Sequence, residues 1–239
     1  MPHQYSMEVI VIEKPVIAAE EAAAMIKEGQ TIHVGDFLGC GCADGIVAAL
    51  ASAGTKDLTL VSCTTGIFDE KTGKSNGVAQ LVKNRQFSRV IVSHVGTNAE
   101  TQCQMRSGEL VVELVPQGTL AERIRAAGAG LGGFLTPTGV GTEVEEGKQK
   151  VTVGDKVYLL ELPLHGDIAL VKARKADKAG NLRYAKTARN FNPLMATACA
   201  LVIAEVEEIV EIGDIDPDDV HTPSIFVDYL VKAREDCRD

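Results

Sequence analysis

Two glycine-rich stretches have a spacing that could do chemistry. GAGLGG, residues 128–133, satisfies GxGxxG, the pattern of a dinucleotide-binding turn, and GDFLGCG, residues 35–41, offers a second dense turn. The fingerprint works only where a strand feeds a glycine turn that opens a helix, because that helix's N-terminal dipole and free N–H groups hold the pyrophosphate. GAGLGG has the wrong neighbours. It follows the helix-forming run TLAERIRAA, so Gly128 is the expected left-handed C′ residue of that helix. It leads into FLTPTGVGT, where Pro137, Gly139 and Gly141 discourage a helix, and no nicotinamide or flavin site is expected there. A plain surface loop is the bland reading. Leu131, Phe134 and Leu135 count against it, since flexible linkers use serine and polar residues.

GDFLGCG has the required context. It follows the strand-like TIHV and precedes CADGIVAAL, with Asp44 placed to N-cap the helix. Backbone donors at such a turn suit a phosphate or carboxylate at the carboxyl edge of a sheet. Of the six cysteines, Cys40 and Cys42 form CxC, but no second pair and no adjacent histidine completes a four-ligand set, and the five histidines show no ligand spacing. No metal is assigned. The scatter of Cys40, Cys42, Cys63, Cys103, Cys199 and Cys237 suits free thiols in a reducing compartment.

The elements that must position these turns alternate between strand-like and helix-like runs, the pattern of a mostly parallel sheet wrapped by helices. Strands are predicted at MEVIVI (7–12), TIHV (31–34), LTLVS (58–62), RVIVSHV (89–95) and LVVELV (110–115), with helices at 18–27, about 44–52 and 78–83. Thr97 with Glu100 and Thr119 with Glu122 read as capping boxes opening two more helices. In the second half, Gly154 and Asp155 between two alternating runs predict a tight hairpin. DIALVKA (167–173) and LVIAEV (201–206) are further buried strands, and SIFVDYLVKARE is expected to close the chain as an amphipathic helix. The fold expected is an open, mostly parallel α/β sheet flanked by helices, one domain over residues 1–239 with residues 1–6 flexible.

With 239 residues and 45% hydrophobic content, the chain can bury a substantial core. A net charge of −9 without a Lys/Arg run argues against a nucleic-acid surface. No apolar stretch approaches the roughly 20 residues of a membrane span, and the N-terminus does not read as a signal peptide, so the cytoplasm is the expected compartment.

VGDFLGCG, SHVGTNAET, SGELVVELVPQGTLAERIRAAGAGLGGFLTPTGVGT and KADKAGNLRYAKTARNFNPLMA, in that order and spacing, resemble the α subunit of class I CoA-transferases, most of all the acetate or acetoacetate branch. The similarity runs from about residue 15 to 232, and the block Ser107 to Thr142 is its most specific part. The resemblance implies transfer of coenzyme A between carboxylic acids of the acetate, acetoacetate and butyrate class. The implied mechanism is ping-pong: a glutamate attacks the acyl-CoA thioester, the resulting anhydride becomes a glutamyl-CoA thioester, and an acceptor acid reverses the steps. In that family the nucleophile lies on the β subunit in an ENG-type motif. No ENG occurs here, so no catalytic nucleophile is expected in this chain. A β-subunit partner in an α2β2 or larger hetero-oligomer is implied, with acyl-CoA and short-chain carboxylates as substrates and no permanently bound cofactor. Glu109, Glu161 and Glu205 could serve as nucleophiles in principle, although ion-pair mates or strand-edge solvation explain them equally well.

Residue by residue, Gly35, Asp36, Phe37, Leu38, Gly39, Cys40 and Gly41 match the family's CoA-binding turn, with Asp36 in place of its second glycine. A negative side chain near a CoA phosphate is unfavourable, so Asp36 either points away or meets another part of the ligand. Gln117 matches a glutamine near the reacting acyl group, where its amide would donate to a carboxylate or oxyanion; a bond to turn backbone is the structural alternative. Cys63 and Thr64 stand where related chains carry paired asparagines facing the substrate. Together with Gln117, Gly132, Gly133 and Phe134 they make the expected substrate lining, the glycine loop lying at the β-subunit junction. Arg106, Arg125, Lys172 and Arg174 are candidates for countering CoA phosphates. Two other readings stay open: a sugar-phosphate isomerase using an internal base such as Glu109, and a metabolite-sensing module.

Overall fold

Apolar residues at successive positions of the strand segments leave each strand two faces to bury, and helices cover both. The computed structural model describes residues 12–68, 73 and 75–234. The first half alternates as β1 (Val16–Ile17), α1 (Ala19–Met25), β2 (Thr31–Val34), α2 (Asp44–Ala53), β3 (Leu58–Val61), α3 (Ala79–Lys83), β4 (Phe87–Val92), α4 (Ala99–Ser107), β5 (Val111–Leu114) and α5 (Gln117–Gly128). Then follow β6 (Phe134–Thr136), β7 (Lys150–Val153), β8 (Lys156–Glu161), β9 (Gly166–Asp177), β10 (Leu182–Arg183), α6 (Asn192–Ala198), β11 (Cys199–Val210) and β12 (Tyr229–Lys232).

The main sheet runs in the order β1-β12-β11-β9-β2-β3-β4-β5, every pair parallel, with β10 added antiparallel to β9. Alternation along β9 shows how it is sandwiched. Ile168 and Leu170 join the cluster formed with α1, α2 and α3, while Ala169, Val171 and Ala173 join that formed with α5 and α6. From β2 the chain winds outward through β3, β4 and β5; from β9 it winds the other way through β11 and β12. The order therefore reverses between β2 and β9, and loops diverge there at the carboxyl ends of the strands, leaving a crevice suited to a ligand. The expected open parallel sheet and the hairpin are both present: Val153 pairs with Lys156 across Gly154 and Asp155, with Gly154 at φ +59°.

Five local expectations need correction. SIFVDYLVKARE forms a 3-10 turn (Ser224–Phe226) and then β12, because an open strand edge on β11 pairs Leu230 with Ala204 and Val231 with Glu205. Strand pairing overrides the helical periodicity of this segment. Neither threonine caps a helix. Asn98 caps α4, its side chain accepting from the Thr101 amide, and Thr97 Oγ1 donates instead to the Gly66 carbonyl. Helix α5 starts two residues before Thr119, with Pro116 as N-cap, and Glu122 pairs with Arg125 at 2.8 Å. Asp44 is the first helical residue of α2, Ala43 being the N-cap. Gly128 is still helical; Gly130, at φ +67°, is the left-handed residue. Gly128 is small for another reason: a Cβ there would lie 2.0 Å from Thr197 Oγ1, where α5 packs on α6. The strand expected at 7–12 lies outside the described residues except for Ile12, which is in no strand.

Candidate active site

Residues that immediately follow parallel strands converge on one cavity of about 300 Å³. Phe37 and Leu38 follow β2, Cys63 and Thr64 follow β3, Ser93, His94 and Thr97 follow β4, and Gln117 opens α5 just beyond β5. Cys63 is buried in its wall, with Gln117 Nε2 donating to Cys63 Sγ at 3.3 Å and Ser93 Oγ donating to the Cys63 carbonyl at 2.7 Å. Burial pushes the Cys63 thiol up, the Ser93 and Gln117 contacts opposing it. The thiol is thus a small neutral surface rather than a thiolate.

The GDFLGCG turn is held in a conformation it would not adopt alone. Leu38 has φ +55°, rare for a residue with a Cβ, and Gly39 and Gly41 are at +86° and +75°. Asparagine amides hold three of its carbonyls: Asn76 Nδ2 donates to Leu38 O at 3.0 Å, Asn190 Nδ2 to Cys40 O at 2.9 Å and Asn192 Nδ2 to Gly41 O at 3.0 Å. Asn192 Oδ1 also accepts from Lys172 N at 3.0 Å, tying the turn to β9. Close approach explains the glycines here, since a Cβ on Gly35 would sit 1.9 Å from Asn192 Oδ1 and one on Gly41 2.8 Å from Ala188 Cα. Such over-determination is what keeps a strained backbone in place at a functional site.

The donors at the start of α2, expected to await an anion, already hold one. Glu205 Oε2 accepts from Ile46 N at 2.9 Å, and a Cβ on Gly45 would meet that oxygen at 2.9 Å. Burial raises the Glu205 carboxyl, while the Ile46 and Gly45 amides and Lys172 lower it. Asp36 has its side chain fully buried under the turn, bonded to Gly39 N and Ser62 rather than facing the cavity.

The remaining candidates separate from the cavity. Gly132, Gly133 and Phe134 lead from α5 into β6 and do not line it; Leu131 and Leu135 beside them are 44% and 39% exposed. Glu109 pairs with Arg85 at 2.8 Å and Glu161 pairs with Lys148. Of the candidate cations, Arg125 pairs with Glu122, Arg174 with Glu207 at 3.1 Å, and the buried Lys172 lies 3.8 Å from Asp44; Arg106 sits in the last turn of α4. Sequence reasoning does not assign Ser93, His94 or Thr97 to the site. Their signal is position, directly after a parallel strand and within the stretch SHVGTNAET. The asparagines of ARNFNP and Asn76 carry no local signal, because their partners are turn carbonyls far away in the chain.

A doubly wound α/β sheet with its cavity beside the reversal of strand order defines a class of ligand-binding enzymes. Within that class, the coenzyme A transferase family model matches residues 16–233, and the chain belongs to this family. It is 47% identical over 220 residues to the alpha subunit of acetate CoA-transferase from Escherichia coli strain K12, covering 92% of this chain and 97% of the relative. It is 41% identical over 217 residues to the alpha subunit of the acetoacetyl-CoA:acetate/butyrate CoA transferase of Clostridium acetobutylicum, covering 91% and 97%. Among solved structures, an acyl-CoA transferase from Escherichia coli O157:H7, in a thioester complex with CoA, has a TM-score of 0.81 at 23% identity. That match covers 92% of this chain and 47% of the other, so this chain spans about half that enzyme and the likeness is one of fold. CoA-transferases use coenzyme A and acyl-CoA as substrates. Among the described residues no helix is long and apolar enough to cross a membrane.

Proposed function

We propose that this chain is the α subunit of a cytoplasmic short-chain acyl CoA-transferase, acting as a single domain. It moves CoA between acids of the acetate, acetoacetate and butyrate class, with a β subunit in an α2β2 or larger assembly. The observation that carries the reading is a cavity lined, among the described residues, by thiol, hydroxyl, imidazole and amide groups but by no carboxylate. Glu109 and Glu161 are engaged in ion pairs, and Glu205 is committed to the start of α2, which fits an attacking glutamate on the β subunit, as the resemblance implies. The same placement removes Glu109 as the base of a sugar-phosphate isomerase.

In this reading the β-subunit glutamate attacks the thioester carbonyl and the C–S bond breaks, expelling CoA thiolate. The thiolate then attacks the resulting anhydride at the glutamyl carbonyl and releases the first acid; the acceptor carboxylate runs these steps in reverse. Gln117, at the cavity mouth with an amide already donating to Cys63, turns that donor to the substrate carboxylate or to the tetrahedral oxyanion. The turn Gly35–Gly41 supplies the rigid wall along which the CoA arm lies, Cys63 and Thr64 shape the acyl end, and Gly132, Gly133 and Phe134 form the junction with the β subunit. CoA is substrate and no cofactor stays bound.

The test is reconstitution. The chain alone is expected to show no transfer, and activity is expected when the β chain is added. Borohydride trapping of the intermediate should then label the β chain. Label on a glutamate of this chain, or full turnover by this chain alone, overturns the assignment.

A further inference from the structure

Asp36 stands where the resembling family carries glycine, and its side chain is fully buried, next in the chain to the cavity residues Phe37 and Leu38. It lies two residues past β2, and Ser62 directly follows β3. The next residues, Phe37 and Leu38 after one strand and Cys63 and Thr64 after the other, are cavity lining. Gly39 N–H donates to Asp36 Oδ2 at 3.2 Å. Ser62 Oγ lies 3.3 Å from Asp36 Oδ1 and 2.9 Å from the Val34 carbonyl oxygen. Ser62 has one hydroxyl proton and the carbonyl has none. Shared between two acceptors, that proton reaches Asp36 only through the longer contact, so the buried carboxyl has just two described donors, both at 3.2 Å or more. An ionised carboxylate would instead draw the hydroxyl in to about 2.5–2.7 Å.

The surroundings agree. Among the described residues the titratable groups facing Asp36 are Asp44 of α2, Cys42 of the turn and Cys63 after β3, none of them cationic. Glu205 of β11 faces Cys42 from behind, and the cation on that side, Lys172 of β9, lies 3.8 Å from Asp44. Burial pushes Asp36 up to about 7, and Asp44 adds to the rise against the Gly39 and Ser62 bonds.

We propose that Asp36 is held as the neutral acid, and that this form lets a carboxylate enter the neighbouring acyl cavity. When Asp36 gives its proton to solvent, a negative charge appears beside the wall formed by Phe37, Leu38 and Cys63. There it repels the anionic substrate through a medium that screens poorly. Asp36 is thus a positioning residue, acting through the turn and its field rather than by touching substrate. The inference rests on the cavity being the acyl site.

The assembled α/β enzyme tests it through kcat/KM for acetate between about pH 6 and pH 9. Wild type is expected to lose about tenfold per pH unit above the Asp36 titration, carried by KM rather than kcat. Asp36→Asn, which keeps the size without the charge, and Asp36→Gly, which restores the family residue, should both flatten that limb, so either variant suffices if the other fails to assemble. An unchanged alkaline limb in a variant overturns the proposal. Infrared difference spectra of the same complexes separate it from the functional reading. A protonated carboxyl band at about pH 6 that Asp36→Asn lacks supports the neutral acid even if no acid is turned over, and its absence refutes the neutral acid even in an active enzyme.

Discussion

Both glycine-rich stretches bring backbone close to other groups, but what their glycines meet differs. In Gly35–Gly41 the glycines let other groups come close: asparagine side chains clamp three carbonyls, and the strained Leu38 is held against the cavity. In Gly128–Gly133 the first glycine lets α5 pack on Thr197 and the second ends the helix at positive φ, while Gly132 has nothing within 4 Å of where a Cβ would be. Glycine spacing therefore reports where backbone must approach something. What it approaches is decided by chain that arrives from elsewhere.

Substitutions can break or sharpen that contrast. The largest effect is expected from Asn192→Ala, which removes bonds to Gly41 O, Ala188 O and Lys172 N in a buried place. A loss of about 4 kcal/mol in denaturant unfolding is expected, with transfer activity down roughly 100-fold because the turn is displaced. Activity surviving this change would mean the turn is not the working wall.

Next in size are pH effects at and beside the first stretch. Burial lowers His33, on β2 just before the turn, to about 4. Its contribution is complete above the unfolded value of 6.5 and is lost as pH falls toward 4, about 3 kcal/mol in all. Asp36 has the opposite sign. Raised from 3.8 to about 7, it contributes fully below 3.8 and loses about 4 kcal/mol as pH rises through 7. Unfolding free energies measured across pH should therefore drop on both sides; Asp36→Asn should remove the alkaline drop and leave the acid one. An alkaline drop retained in Asp36→Asn would assign it to another group.

Smaller effects belong to the second stretch. Gly128→Ala should cost about 1–3 kcal/mol by overpacking against Thr197. Thr197→Ala in the same chain should recover most of that cost, since it removes the atoms in the way. Gly132→Ala should change the stability of the isolated chain by less than about 0.5 kcal/mol. If it weakens only assembly with the β chain, read by co-purification, the loop lies at the junction; if it destabilises the free chain as much as Asn192→Ala does, the contrast between the stretches is gone.

Local chemistry made much of this molecule legible. TIHV, LTLV and the Gly154–Asp155 hairpin emerge where β-branched runs and turn residues predict them. The resemblance rather than local chemistry brought Cys63, Thr64 and Gln117 to one site, and they do line one cavity, along with Phe37 and Leu38. Illegible features had distant partners. SIFVDYLVKARE satisfies helix and strand patterns alike, and the free edge of β11 decides between them. Thr97 and Thr119 had the capping-box spacing, but Asn98 and Pro116 took the N-cap positions, which depend on how the preceding strand delivers the chain.

The sequence by itself determined the alternation of strands and helices, the parallel sheet this alternation requires, and the turns that follow each strand, because periodicity and glycine placement act over a few residues. Only the tertiary structure decided that Glu205, 159 residues from Ile46, occupies the α2 donors, and that Asn190 and Asn192 grip a turn some 150 residues earlier. It also decided that Asp36 turns inward against Ser62. The physical reason is common to all three. Buried polar groups must find partners, and which partner lies within about 3 Å depends on how sheet and helices pack rather than on neighbours in the chain.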